Sequence, residues 1–238
     1  MMNTIFHPAK SRGYADHGWL KSHHTFSFGH YYDPDRMGFG ALRVINDDYV
    51  QGGRGFGEHP HRDMEIISIP LDGDLAHGDS MGNRGVIRHG EIQVMSAGTG
   101  IVHSEMNGNA DRPVKFLQIW VQPRQKNVTP RYQQIHIAQE TVENGFQQIL
   151  SPSPDDAGVW IHQDAWFHLA KFNQGVSQTY TLKKSGNAVY AFVIKGAVTV
   201  AGYDLQTRDG LGISDMTAFD LKALNDAEVL LMEVPMDF

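Results

Sequence analysis

What most limits the fold of this 238-residue chain is a strand–turn–strand pattern that occurs in both halves. Residues 191–200, AFVIKGAVTV, repeat the shape of residues 66–77, with Gly196 in the place of Gly73. RDGLGI at 208–213 echoes RHGEIQ at 88–93, and VLLMEVP at 229–235 echoes FLQIWVQP at 116–123. Short runs rich in β-branched and aromatic residues alternate with Gly, Asn, Asp and Pro, the signature of strands joined by tight turns. Such spacing predicts an all-β fold of antiparallel jelly-roll barrels or sandwiches, and the echo predicts two of them. Strands are expected at 40–46, ending in a turn at Asn46-Asp47-Asp48, and at 64–71, with Pro70 confined to an edge or strand end. Further strands are expected at 75–79 and 101–106, with a hairpin over 85–95 about His89-Gly90. The strongest lies at 114–121, closed by Pro123. Residues 124–158, rich in Gln, Pro and Ser, read as a linker with a short helix at 138–144. The expected domains are therefore residues 1–135 and 136–238.

The residues that carry chemistry lie in the first half. Gly53 to Gly57 lead into His59-Pro60-His61, and His103-Ser104-Glu105 follows further on. Residues two apart on an extended segment share a face, so two such segments side by side aim three imidazoles and one carboxylate at one point. That set suits one divalent first-row metal, Fe(II), Mn, Co, Ni, Cu or Zn, without choosing among them. Four protein ligands in an octahedron leave two positions open for substrate, water or dioxygen, whereas a structural zinc site is closed. Glu65 shares the parity of His59 and His61, so it reads either as a ligand in place of Glu105 or as a neighbour that orients an imidazole. His77 and Asp79 are a rival pair, read as a solvated hairpin tip because a turn follows them. His17, His23, His24 and His30 are irregularly spaced and read as a polar-aromatic arm packed on the body, not a second metal site.

The echo also tests whether the second half repeats the site. The offsets of His59 and His61 from Gly73 fall, relative to Gly196, on Leu182 and Lys184, and that of His103 from Gly90 falls, relative to Gly210, on Ala223. After residue 158 only His162 and His168 remain, neither in a His-x-His pair. One half is expected to hold the metal.

Composition removes other classes. With no cysteine, disulfides, thiolate catalysis, Cys-ligated zinc and iron–sulfur clusters are excluded, and a reducing compartment fits. A formal net charge of −7 without a Lys/Arg cluster disfavours direct binding to nucleic acid or to an anionic membrane. No signal-type apolar segment and no apolar run of about 18 residues occurs, so a cytoplasmic protein without a membrane span is expected. Gly-x-Ser-x-Gly and phosphate-loop motifs are absent.

Two motifs resemble known families. Gly53-(x5)-His59-x-His61-(x3)-Glu65-(x7)-Gly73 resembles the first cupin motif with one extra residue before its last glycine. Gly100-(x2)-His103-(x3)-Asn107 resembles the end of the second, with Gly98 where the family has proline. More specifically, HGWLKSHHTFSFGHYYDP, ALRVINDD, HPHRDMEI, DSMGN, MSAGTGIVHSE and IWVQP, in order over most of residues 13–123, resemble the pirin family. The C-terminal half resembles that family's second domain more loosely. The resemblance implies a bicupin, two barrels face to face, with metal only in the first. It implies His59, His61, His103 and Glu105 as ligands, leaves Glu65 to the surrounding shell, and makes iron the expected metal. It further implies a quercetin 2,3-dioxygenase, in which a flavonol's 3-hydroxyl reaches the metal as an anion. Glu105 takes its proton, and dioxygen opens the ring with loss of carbon monoxide. The alternatives are a redox-sensing metal protein acting through protein partners and, less closely, a cupin isomerase. A monomer is expected; substrate-contacting residues are not readable from the sequence.

Overall fold

The strands of the first half are β1 (Asn3–His7), β2 (Gly13–Asp16), β3 (Leu20–His24), β4 (Leu42–Val50), β5 (Gly55–His61), β6 (Glu65–Asp72), β7 (Asp74–Asp79), β8 (Arg84–Arg88), β9 (Glu91–Ser96), β10 (Ile101–Asn107), β11 (Val114–Val121) and β12 (Arg131–His136). Those of the second are β13 (Phe146–Ser151), β14 (Val159–Trp160), β15 (Trp166–Phe172), β16 (Ser177–Thr181), β17 (Asn187–Lys195), β18 (Ala197–Val200), β19 (Tyr203–Gln206), β20 (Gly210–Ser214), β21 (Ala218–Ala223) and β22 (Ala227–Pro235). This is a computed structural model, and it describes residues 2–137 and 142–238. Among the described residues the one helical piece is a 3-10 turn at Ala9–Ser11, and no helix is long and apolar enough to cross a membrane.

Four sheets form two barrels. The large sheets run β12-β9-β6-β11-β4-β3-β2 and β1-β20-β17-β22-β15-β13-β14, and the small ones β5-β10-β7-β8 and β16-β21-β18-β19. The large sheets pack back to back: Ile45, Ile67 and Ile119 of one share a core with Phe167, Tyr190 and Leu230 of the other. Each small sheet closes the far side of its barrel, with Leu75 and Ile87 against Phe116 in the first and Val198 and Leu221 against Val193 and Leu231 in the second. Strands central to such a stack are covered on both faces, which is why β11 and β17 read as near-continuous apolar runs instead of alternating ones. The fold is all-β, two antiparallel jelly-roll barrels face to face.

The internal echo is a true structural repeat. β6, β9, β11 and β4 occupy the positions of β17, β20, β22 and β15, and the small sheets correspond strand for strand. Gly73 and Gly196 both have positive φ, +78° and +85°, and a Cβ there would meet Pro113 O at 2.6 Å or Asp226 O at 2.3 Å. Only glycine supplies both the left-handed conformation and the close approach. At the outer edges the repeat is completed by exchange. β12 lies beside β9 in the first barrel, whereas the corresponding place beside β20 is taken by β1 from the start of the chain.

Several sequence expectations change. Asn46-Asp47-Asp48 is not a turn: β4 runs through it to Val50, because β3 and β11 pair with it on both sides. Residues 85–95 are not a hairpin: β8 pairs with β7, whereas β9 pairs with β6 and β12 in the other sheet, so His89-Gly90 is the corner between sheets. The expected linker carries β12 and β13, both recruited by non-local pairing. Of the helix expected at 138–144, residues 138–141 lie outside the described residues and 142–144 lead into a turn.

Asp47 faces the second barrel and joins the halves. Its Oδ2 accepts from Arg12 Nη1 at 3.2 Å and from Arg208 Nε at 2.9 Å. Replacing it with alanine leaves two partly buried guanidiniums without their shared counter-charge. The expected loss is about 3 kcal/mol of unfolding free energy in a urea titration, the cost of breaking such a pair from one side. A change below about 0.5 kcal/mol, the range of ordinary surface substitutions, would refute this role.

Candidate metal centre

The first barrel's small sheet carries the candidate ligands. β5 and β10 pair antiparallel with His103 opposite His59 and Ile101 opposite His61, and a register shift follows between His103 and Glu105. Directly opposed residues share a face, as do residues two apart along a strand, so His59, His61, His103 and Glu105 all turn inward. Gly55 permits this contact, since a Cβ there would lie 2.4 Å from Glu105 O. The ring centroids of His59 and His103 are 4.4 Å apart, and His61 lies 4.9 Å from each. One nitrogen of each ring lies within 4.8 Å of the others, the spacing of a metal cage.

The protonation chemistry suits that cage. His59 Nδ1 donates to Gly57 O at 2.7 Å, which leaves Nε2 as the lone-pair nitrogen. His103 is 1% exposed, and neither of its ring nitrogens has a hydrogen-bond partner. Burial, reinforced by the neighbouring imidazoles, lowers its pKa to about 2, and burial with His59 nearby lowers that of His61 to about 4. Both rings are neutral at pH 7, with lone pairs to offer. A buried imidazole with two unpartnered nitrogens is costly unless something binds it. A metal ion fits these residues.

Glu105 stands beside the three imidazoles rather than within their close cluster. Its Oε1 accepts from Ser68 Oγ at 2.8 Å and its Oε2 from Gln118 Nε2, both from the large sheet across the barrel. Burial raises its pKa against the opposing pull of these donors.

Two expectations about neighbouring residues fail. Glu65 is not brought to the imidazoles. Its carboxyl receives Ser96 Oγ at 2.6 Å and the His162 backbone N–H, near Arg131, toward the second barrel. The shared-parity reading needs an unbroken strand, and Asp63, at φ +48°, breaks it between β5 and β6. His77 and Asp79 are not a solvated tip. β7 lies between β10 and β8, which sets His77 opposite Glu105 and Asp79 opposite His103. Both therefore face inward: His77 is 4% exposed, bonds Asp79 Oδ2 at 3.1 Å, and stacks on Tyr132 at a centroid distance of 4.6 Å.

The expected N-terminal arm does pack on the body, and it has a further role. β2 and β3 extend the large sheet beyond β4, and the arm walls a cavity of about 550 Å³ that opens onto His59, His61 and Glu105. His17, His24, Phe28, His30 and Tyr31 contribute from the arm, and Phe56 and Trp120 from the barrel. His24 bonds Asn46 Oδ1 at 2.8 Å, and its ring meets Phe28 at 5.3 Å. His23 turns away onto Tyr14. The aromatic density of residues 14–31 was the available sequence signal for this wall, but its irregular spacing gave it no address.

A family model described as Pirin matches residues 6–121. Quercetin 2,3-dioxygenase of Escherichia coli K12 is 46% identical over 230 residues, covering 95% of this chain and 96% of that protein. The chain belongs to the pirin family. A second model, the quercetinase C-terminal cupin domain, matches residues 148–234, so the two barrels are those of a bicupin pirin. The crystal structure of YhhW from Escherichia coli superposes with a TM-score of 0.94 at 43% identity, over 99% of this chain and 100% of that one. The same bacterial pirin in complex with nickel(II) superposes at 0.92, over 99% of both chains. A pirin-like protein of Caulobacter vibrioides is 40% identical over 95% of this chain and 97% of its own.

The structural repeat explains how the pirin's two barrels differ. In the first, one transverse row crosses five strands as His24, Asn46, Gln118, Ser68 and Gln93. In the second, the matching row is Gln148, His168, Leu231, Ala191 and Leu211. Leu231 and Ala191 stand where Gln118 and Ser68 hold Glu105, and they join the apolar core that fills the second barrel.

Proposed function

We propose that this pirin is a metal-dependent dioxygenase that opens the ring of flavonols such as quercetin. The observation that carries the reading is the cluster of three imidazoles facing a cavity walled by aromatic rings. Its relatives support it, one a quercetin 2,3-dioxygenase and one a pirin in complex with nickel(II). His59, His61, His103 and Glu105 are the proposed ligands and iron the proposed metal; the domain division proposed is residues 1–135 and 136–238.

The bound metal supplies Lewis-acid polarisation of substrate oxygens and a template for substrate and dioxygen. The remaining work falls to the chain. Phe28, Phe56 and Trp120 offer flat apolar contact to an aromatic substrate and exclude water from the site. Glu105 accepts the proton of the flavonol 3-hydroxyl on a carboxyl oxygen, a role suited to a buried carboxylate whose affinity for protons is raised. Ser68 and Gln118 hold that carboxyl in place. Both oxygen atoms of O2 would end in the ring-opened product, one in the ester carbonyl formed at C2 and one in the carboxylate formed at C4, while carbon monoxide carries away C3 with the 3-hydroxyl oxygen.

Iron-loaded protein is expected to bleach quercetin only when oxygen is present, with carbon monoxide released in proportion. Absence of turnover with iron, manganese, cobalt, nickel and copper alike would overturn the reading.

A further inference from the structure

The proposed reaction leaves one buried carboxyl of the cavity unused. Asp48 lies on β4, on the wall opposite the imidazoles, and lines the cavity. It is 3% exposed, and its Oδ1 has no hydrogen-bond partner. Ser22, opposite it on β3, hydrogen-bonds the carboxyl, and Phe116 is opposite on the other side. The matching position in the second barrel is Ala170, within the apolar core. A barrel of this design therefore closes without a carboxyl here, and an unpartnered buried carboxyl oxygen is a cost to the fold. Residues that break a packing rule in this way concentrate where a ligand is bound.

The placement sets what such a ligand offers. Asp48 is two residues along β4 from Asn46, whose row includes Gln118, the donor to Glu105. That is about 7 Å along the strand, comparable to the breadth of a fused two-ring aromatic system. Burial, with Glu105 and Asp47 adding to it, pushes the Asp48 carboxyl up to about 7, so it is able to donate as well as accept.

We infer that Asp48 is a specificity-determining residue that hydrogen-bonds a phenolic hydroxyl of the substrate remote from the metal-binding oxygens. The inference rests on the flavonol reading above and adds to it the substrate class: flavonols with ring hydroxyls beyond the 3-hydroxy-4-keto head. That head reports on the metal, and the remote hydroxyls report on Asp48.

The test measures anaerobic binding of quercetin and of 3-hydroxyflavone, which has the head but no other hydroxyl, to nickel-loaded protein. Wild-type protein is expected to prefer quercetin by roughly tenfold or more, the worth of a buried hydrogen bond to a carboxyl. Asp48→Leu, with the same branched arrangement of side-chain heavy atoms and no polar ones, is expected to bring the ratio near unity while 3-hydroxyflavone affinity stays within about threefold. Asp48→Asn, which keeps an acceptor and a donor, is expected to retain most of the preference. The leucine variant should also melt higher than wild type without ligand, whereas a residue needed for the fold would melt lower. If both flavonols bind wild type and the preference survives in Asp48→Leu, this inference is overturned and the flavonol reading stands. If wild type binds neither, both fall together.

Discussion

His103→Ala is expected to abolish metal retention and, with it, all quercetin turnover. His103 occupies the centre of the site: β10 lies between β5 and β7, and both His59 and Asp79 are opposite it. Its two buried nitrogens have no protein partner, so the ring gains little in the metal-free fold and its loss is felt in binding. Removing a ligand outright should exceed the 10- to 100-fold affinity loss typical of removing a residue that merely orients one. Metal content per chain after dialysis, measured by mass spectrometry, checks this. A melting experiment gives an independent readout. Metal at about a hundred times its dissociation constant should stabilise wild type by about 2.7 kcal/mol and leave the variant unchanged. The pH range follows from the same rings. The neutral imidazole is the form that binds metal, and lowered pKa values extend that form to lower pH. Protonation of His61 sets in only as pH falls through about 4, and of His103 only near 2. Metal retention by wild type should therefore not be limited by these two rings at pH 5. A His103→Ala protein that kept a full complement of metal would refute the proposed ligand set.

Glu105→Gln is the second large effect. The change keeps shape and removes both the negative charge and the ability to take a proton. Ser68 and Gln118 donate to the carboxyl oxygens, so an amide there turns its NH2 toward one of them, and that hydrogen bond is kept only with its direction reversed. Loss of a positioned general base is worth roughly 10²- to 10⁴-fold in kcat. The expected result is a fall in kcat of that order, with quercetin binding to the metal-loaded variant weakened far less. Ser68→Ala and Gln118→Leu act through Glu105 and should each give a smaller loss of kcat than Glu105→Gln. Unchanged kcat in Glu105→Gln would remove the carboxylate from the proton transfer and leave it at most a ligand.

Much of this fold and its metal centre is legible in the sequence, and the limit of legibility has a physical pattern. The barrel repeat could be read because turn chemistry is local: Gly73 and Gly196 are needed where the backbone adopts positive φ against a neighbouring carbonyl. The pairs His59/His61 and His103/Glu105 could be read because residues two apart on one strand must share a face. The rule does not extend to Glu65, because at Asp63 the strand ends and the facing is reset. His77 and Asp79 obey the same rule as the ligands, yet no local signal says that β7 is flanked on both sides. β12 reads as linker because this edge strand is selected by β9 and not by its own periodicity. Local chemistry, acting within a few residues, sets the glycine turns at Gly73 and Gly196 and the two ligand pairs. Which pairs meet, that the N-terminal arm walls the cavity, and that Asp48 lines it with one unpartnered oxygen follow from pairing between strands distant in the chain, which sets what each buried face meets.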